Sequence, residues 1–320
     1  MHWSILAVLA GFGALIWGAD RFVIGAAAMA GNLGVSALLI GLTVVGLGTS
    51  APEILVSAMA AWEGNPGLAI GNALGSNITN ISLILGVTAL VSPLSVHSQT
   101  LQREYPLMLA CCLVALLLVM DGQFGRLDGM ILLAGLVVVL FWIVRLGLGS
   151  RIGDPLVAEY EAELPHKMPT RTAVLWFGIG LLVLLLGSRL VVWGAVNIAQ
   201  ALGISDLVIG LTVVAIGTSL PELAASVMSA IKREHDLAIG NVIGSNIYNL
   251  LAVLSLPGII RPGPFPPDAL MRDFPIMIGL TLALFAFGYG FKGPGRINRL
   301  EGAILLLSFG GYELLLYSQA

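Results

Sequence analysis

Two short segments of the chain combine a proline with residues that offer oxygen atoms. Segments 46–53 and 215–222 both contain Gly-Thr-Ser-x-Pro-Glu, and both lie inside long apolar stretches. Proline has no N–H group and clashes with the carbonyl four residues earlier, so each segment should interrupt its helix and free backbone carbonyls. The carbonyls concerned are those around Gly48, Thr49, Gly217 and Thr218.

A carboxylate follows each predicted break by about one turn, at Glu53 and Glu222. Ser50 and Ser219 add a hydroxyl next to each break. Carbonyls, hydroxyls and carboxylates are hard oxygen donors, and Ca²⁺ takes roughly 6–8 such ligands. Two copies of the segment, brought together, would supply enough oxygen atoms for one such site.

A local explanation also fits the same residues. Serine followed three residues later by glutamate is the capping-box pattern at the start of a helix. A cap explains each segment by itself, but it does not explain why the pattern recurs inside a second apolar stretch. The two interpretations are compatible, with the serine as a cap and the glutamate as a ligand.

A second pair of segments, 71–80 and 240–249, contains Gly-Asn-x-x-Gly-Ser-Asn-x-x-Asn. The Asn, Ser and Asn residues spaced by four share one helix face. From this face we predict further oxygen ligands at Ser76, Asn80, Ser245 and Asn249. Small residues and polar side chains also hold membrane helices together. For that reason we assign helix packing to Gly71, Gly75, Gly240 and Gly244, and a structural role to Asn77 and Asn246.

The composition excludes a water-exposed globular domain. Hydrophobic residues make up 58% of the 320 residues, charged residues only 10%, and the mean hydropathy is +0.97. Soluble domains carry about 25% charged residues. The net charge of −3 does not favour a nucleic-acid partner. The chain is therefore predicted to lie in a lipid bilayer, and an all-α fold is expected because lipid offers no partner to open strand edges.

Ten apolar stretches have about the length of a membrane span. They fall at 3–24, 37–61, 67–91, 105–120, 128–147, 172–195, 206–230, 236–257, 273–290 and 301–317. When the sequence is aligned with a shifted copy of itself, Ser36–Asn80 matches Ser205–Asn249 without a gap, and 26 of the 45 positions are identical. The same offset aligns Gly18 with Gly187. Each half then has five spans. Five is an odd number, so the second repeat must be inverted in the membrane, an arrangement that recurs in secondary transporters.

The repeat divides the chain into residues 1–147, a linker at 148–171 and residues 172–320. Positive charge belongs on the cytoplasmic side of a membrane. With both termini outside, eleven of the fifteen Lys and Arg residues fall on the inner side, and the exceptions are Arg126, Arg189, Arg261 and Arg272. We therefore expect a multi-pass protein of the cell (inner) membrane with a cytoplasmic linker.

The paired segments resemble the two alpha-repeats of the cation/calcium exchanger superfamily, in particular those of short prokaryotic sodium/calcium exchangers. This resemblance implies electrogenic antiport of calcium and sodium, with Glu53 and Glu222 as the central calcium ligands. It also implies a supporting set formed by the backbone oxygens of Thr49 and Thr218, by sodium-site residues Gly46, Ser50, Ser76, Ala215, Ser219 and Ser245, and by Asn80 and Asn249 near the middle. Some relatives, including potassium-dependent ones, have an aspartate at the position of Asn249, which argues against potassium co-transport here.

Other functions are less well supported by the sequence. Calcium/proton exchangers on the same scaffold typically have a glutamate where this chain has Gly75 and Gly244. The sequence contains neither a zinc-protease motif nor a Ser/His arrangement for nucleophilic attack, so it does not indicate an enzyme. A passive channel shares broken helices with exchangers and is separated from them by counterflow. We expect calcium, sodium and lipid as the only partners, with no cofactor, nucleic acid or protein partner.

Overall fold

A computed structural model describes residues 2–34, 37–96, 101–149, 168–201, 215–288 and 295–319. These residues fold mostly into helices, which satisfy their own backbone N–H and C=O groups where lipid cannot. The helices of the first half are α1 (His2–Leu33), α2 (Ala37–Ile40), α3 (Gly46–Thr49), α4 (Ala51–Trp62), α5 (Pro66–Thr79), α6 (Leu85–Val91), α7 (Leu101–Val119) and α8 (Arg126–Gly149). Those of the second half are α9 (Thr170–Ala201), α10 (Ala215–Thr218), α11 (Leu220–Ile231), α12 (His235–Tyr248), α13 (Ser255–Ile260), α14 (Phe274–Gly288) and α15 (Arg299–Gln319).

Short π-helical turns interrupt several of these helices. They are π1 (Gly41–Val45), π2 (Asn80–Ile84), π3 (Asn249–Val253) and π4 (Ala269–Asp273). Such turns are rare and occur frequently at functional sites. Two of them begin at asparagines that the sequence singles out as ligands.

Seven helical stretches of the described chain are long and apolar enough to cross a membrane, or eight if π1–α3 and α4 form one bent span. Two shorter apolar helices, Glu104–Val119 and Leu220–Ile231, lie where the fourth and seventh spans are predicted. Residues 206–214 of the predicted seventh span lie outside the described residues. The structure thus contains the helices of a membrane protein, and the number of ten spans stays a prediction.

The sequence repeat reappears in the secondary structure. The offset that aligns the two repeats also aligns four elements of the first half with four of the second. The pairs are α3 with α10, α4 with α11, α5 with α12, and π2 with π3. The turn between the paired helices also matches, because Gly64 and Arg233 both have a positive φ, of 89° and 65°. A left-handed conformation is uncommon for any residue other than glycine. Both copies therefore adopt the same local fold around the predicted site.

In the described part of the chain, four short strands join the two halves. β1 (Leu94–Val96) pairs antiparallel with β4 (Gly295–Ile297), and β2 (Gln123–Phe124) pairs antiparallel with β3 (Gly263–Pro264). Each pair contains one strand from each half. The strands therefore place connecting segments of the two halves side by side.

α1 and α9 pack directly against each other through regularly spaced glycines. These are Gly11, Gly18 and Gly25 in α1, and Gly180, Gly187 and Gly194 in α9. A Cβ atom on Gly11 would lie 2.6 Å from Val191 Cγ2, and one on Gly194 would lie 2.6 Å from the carbonyl oxygen of Ser4. Only glycine permits the two backbones to approach this closely.

The centre of the protein is formed by α12. All its residues from Asp236 to Tyr248 are buried. The apolar core around it draws on both halves, with Ile78 and Ile81 in the same cluster as Val242 and Ile247. Every polar side chain of α12 must therefore find a partner inside the protein.

Candidate ion-binding site

The predicted helix breaks occur at the two serines. α3 ends at Thr49, Ser50 has φ −80° and ψ 5°, and α4 begins at Ala51. The combined π1–α3 segment is bent by 50° relative to α4. In the second half Ser219 has φ −89° and ψ 7° between α10 and α11. The prolines that follow each serine account for both breaks, as the sequence predicts.

The two breaks contact each other through crossed hydrogen bonds. Ser50 Oγ donates to Glu222 Oε1 at 3.3 Å, and Ser219 Oγ donates to Glu53 Oε1 at 3.3 Å. Neither serine side chain caps its own helix. The capping role considered for these hydroxyls is therefore wrong, and each hydroxyl instead orients the glutamate of the opposite repeat.

Both glutamates lie deep in the protein. Glu53 and Glu222 are each 1% exposed, and the second carboxylate oxygen of each, Oε2, is buried without a hydrogen-bond partner. No Lys or Arg is buried in the part of the chain that the structure describes. Two neighbouring buried carboxylates without a basic partner are costly unless a cation or proton compensates their charge. The pair is thus suited to hold a cation.

Hydroxyl and amide groups surround the first break. Thr49 is fully buried, and its Oγ1 donates to Asn241 Oδ1 at 3.1 Å and lies 3.4 Å from Ser245 Oγ. Thr218 is half-buried at the second break. Ser76 is also buried, on α5. Oxygen donors from both repeats, Thr49 and Ser245 among them, therefore meet at the first break.

The two asparagines at the start of the π-helical turns are equally buried. Asn80 and Asn249 are each 1% exposed, and the Oδ1 atom of each is buried without a partner. An unsatisfied buried carbonyl oxygen costs about 1–3 kcal/mol. These two atoms are therefore further candidates for cation ligands.

Glycines bring π1 and α3 close to α12. A Cβ atom on Gly46 would lie 3.2 Å from Gly244 C, and one on Gly244 would lie 2.6 Å from the carbonyl oxygen of Leu42. A Cβ atom on Gly41 would similarly lie 3.2 Å from Gly240 Cα. The packing role predicted for Gly240 and Gly244 is confirmed. The same prediction for Gly71 and Gly75 is not borne out by the described residues, because a Cβ atom on either glycine would meet nothing within 4 Å. The remaining predicted site residue, Ala215, is the first residue of α10.

Sequence reasoning missed one pair of supporting residues. Asn72 Nδ2 donates to the backbone carbonyl of Glu53 at 3.1 Å and to Ser57 Oγ at 2.9 Å. In the second repeat Asn241 Nδ2 donates to the carbonyl of Glu222 at 3.3 Å and to Ser226 Oγ at 2.9 Å. Each asparagine fixes the helix that carries a glutamate. Their place on the shared polar face was visible in the sequence, but their partners were not.

A second missed residue changes the prediction for the freed carbonyls. Ser188 Oγ of α9 donates to the carbonyl oxygen of Gly217 at 2.6 Å. That carbonyl was expected to be available to a cation, and it already has a partner. The equivalent position in α1 is Ala19, which has no hydroxyl, so the two breaks differ here.

The fold and the site define a helical membrane protein with a buried, paired-carboxylate site at two broken helices. The sequence profile of the family described as sodium/calcium exchanger protein matches residues 3–145 and 172–318. The chain is 51% identical to CaxA of Alkalimonas amylolytica over 315 residues, covering 98% of this chain and 99% of CaxA. It is also 45% identical to the inner membrane protein YrbG of Escherichia coli (strain K12) over 305 residues, covering 95% and 93% of the two chains.

Solved structures give the same result. A structure of the sodium-calcium exchanger NCX_Mj superposes with a TM-score of 0.84 at 34% identity, covering 99% of both chains. This chain belongs to the sodium/calcium exchanger protein family. The resemblance inferred from the paired segments is confirmed.

Proposed function

We propose that this protein is a secondary antiporter that exchanges calcium for sodium by alternating access. The observation that carries the proposal is the crossed pair of bonds from Ser50 to Glu222 and from Ser219 to Glu53. It joins the two repeats at two buried carboxylates that have no buried Lys or Arg near them in the described chain. Family membership and the likeness to NCX_Mj support the same activity.

The proposed ligand set contains the twelve residues predicted from the sequence. The central calcium ligands are Glu53 and Glu222, and the set is completed by Thr49, Thr218, Ser50, Ser219, Ser76, Ser245, Asn80, Asn249, Gly46 and Ala215. Most of these offer neutral oxygen atoms, which suits a site that alternates between a divalent and a monovalent ion. No resident cofactor and no enzymatic activity form part of the proposal.

Charge balance accounts for the coupling. Two carboxylates are neutralised by one Ca²⁺ or by two Na⁺, and the empty site carries two negative charges that are costly to move through an apolar barrier. A third Na⁺ on neutral oxygens would make each cycle transfer one net charge. Transport would then depend on voltage, at about 2.3 kcal/mol per charge per 100 mV.

Purified protein in proteoliposomes tests this function. An outward sodium gradient should drive calcium uptake without potassium, and an ionophore that dissipates the accumulating charge should accelerate it. Calcium uptake that ignores sodium and follows a pH gradient would instead establish the calcium/proton alternative. Leak without counterflow would indicate a channel.

We further propose ten spans in two inverted repeats, residues 1–147 and 172–320, in the inner membrane. Both termini lie outside and the 148–171 linker lies in the cytoplasm. In this topology the loops that carry β1 and β4 are both cytoplasmic, and those of β2 and β3 are both external, which agrees with their pairing. The ion pair between Lys232 Nζ and Asp20 Oδ1, at 2.7 Å, likewise joins two positions on the inner side.

Cysteine labelling tests the topology. The native Cys111 and Cys112 are only 5% and 1% exposed, so a single cysteine placed in the linker should dominate the signal. A membrane-impermeant thiol reagent should label it in inverted vesicles and not in intact cells. Free labelling from outside intact cells would reverse the proposed orientation.

A further inference from the structure

Two buried asparagines that the proposed ligand set leaves out make the same unusual contact. Asn246 Nδ2 donates to Met108 Sδ at 3.6 Å, and Asn77 Nδ2 donates to Met277 Sδ at 3.4 Å. All four side chains are buried, at 1% exposure or less. Both contacts cross from one repeat to the other, and the offset that aligns the repeats places each residue of one contact on its counterpart in the other. Two unrelated packing contacts would not be expected to form between the same residue types at equivalent positions of both repeats.

The sulfur determines how each amide is oriented. A thioether accepts hydrogen bonds and cannot donate one, so the amide nitrogen must face it. The carbonyl oxygen of the same amide then points away from the sulfur. In Asn246 this oxygen, Oδ1, accepts a hydrogen bond from Asn80 Nδ2 at 3.1 Å.

The hydrogen bond from Asn80 to Asn246 also fixes the orientation of the Asn80 amide. Because the Asn80 nitrogen is held by Asn246, its Oδ1 faces the opposite direction, and that atom is buried without a partner. We propose that Met108 and Asn246 form a positioning relay that holds Asn80 with its oxygen, rather than its nitrogen, toward the bound cation. The relay rests on the proposed function, in which Asn80 is a ligand.

The relay matters because the two ends of an amide have opposite effects on a cation. If the Asn80 amide rotated by half a turn, a donor N–H pair would replace the acceptor oxygen in nearly the same volume. The site would lose one ligand and gain a repulsive group. Groups that orient metal ligands in this way typically change metal affinity by about 10–100-fold when they are mutated.

The equivalent contact between Asn77 and Met277 forms only part of such a relay. Asn77 Nδ2 contacts Met277, but Asn77 Oδ1 is buried without a partner and receives no bond from Asn249. Met277 therefore has the same burial and the same neighbour type as Met108 without orienting a ligand. This difference supplies a matched control within the chain.

Calcium and sodium titrations of the purified protein test the relay with two substitutions at one position. Met108→Leu keeps the volume and removes the acceptor, and we expect the calcium dissociation constant to rise about tenfold or more. Met108→Gln has a similar length and restores an acceptor oxygen, so affinity should return to within about threefold of wild type. A packing role predicts the reverse order, because leucine suits an apolar core better than glutamine. Leucine equal to or better than glutamine would overturn the proposal.

Two further variants complete the test. Met277→Leu should change calcium affinity by less than about threefold, because its relay is incomplete. Asn246→Leu should match Met108→Leu, and the double variant should be no worse than either alone, since coupled residues are not additive. Additive losses, or equal losses at Met108 and Met277, would refute the relay. A wild-type protein that binds neither ion would instead refute the proposed function, and the relay with it.

Discussion

Neutralising one glutamate of the buried pair is the most direct test of the site. Glu53→Gln and Glu222→Gln preserve shape and remove one charge each. Two unit charges about 4 Å apart interact by roughly 4 kcal/mol at an effective dielectric constant of 20, and a divalent ion doubles this to about 8 kcal/mol. Even one fifth of that value, about 1.6 kcal/mol, exceeds the roughly 1.4 kcal/mol that corresponds to a tenfold change in affinity. Calcium binding should therefore weaken by more than tenfold in either variant.

The same charge argument predicts a change in selectivity. Sodium carries one charge and loses about half as much interaction energy, so the preference for calcium over sodium should fall. Both variants should behave alike, because Glu53 and Glu222 have equal burial and equivalent hydroxyl partners. The control is Glu63→Gln, which removes an exposed carboxylate at the end of α4 and should leave affinity unchanged.

Thermal unfolding gives an independent measurement. In the absence of calcium each Gln variant should melt at a higher temperature than wild type, because a costly buried charge has been removed. The stabilisation that added calcium provides should shrink, since it depends on affinity. Near-wild-type calcium affinity in either variant, with Glu63→Gln also unchanged, would show that the cation binds elsewhere.

Three further substitutions test contacts outside the proposed ligand set. Gly11→Ala places a Cβ atom 2.6 Å from Val191 Cγ2 and should destabilise the protein by about 1–3 kcal/mol in thermal unfolding. The control is Gly13→Ala, whose Cβ atom would meet nothing within 4 Å and which should be neutral or stabilising. Ser188→Ala removes the partner of a buried carbonyl and should cost about 1–3 kcal/mol in the same assay, and an equal melting temperature would contradict that bond. Lys232→Ala breaks a half-exposed ion pair with Asp20 and should cost no more than about 1 kcal/mol, so a larger loss would indicate a role beyond the pair.

Much of the fold followed from the sequence because its signals are local or repeated. The composition determined the membrane environment, since too few polar residues are present to cover a water-facing surface. Proline and the residues before it predicted breaks next to Thr49 and Thr218, because the missing N–H acts within one turn. The constant offset between the two repeats then showed that the two breaks are equivalent positions of one repeated motif. The crossed serine–glutamate contacts between the two breaks agree with that argument, while the role of the predicted oxygen donors as ligands stays a proposal.

The tertiary structure alone decided which partner each polar group has. A serine three residues before a glutamate predicts a cap, yet Ser50 makes no cap bond and donates to a glutamate 172 positions away, which the packing of the two repeats places within reach of its hydroxyl. Ser188 satisfies Gly217 for the same reason, although nothing in its own segment marks it. Local patterns report backbone preferences over a few residues. Side-chain partners depend on how close helices from distant parts of the chain approach, and that is determined by the packing of the whole protein.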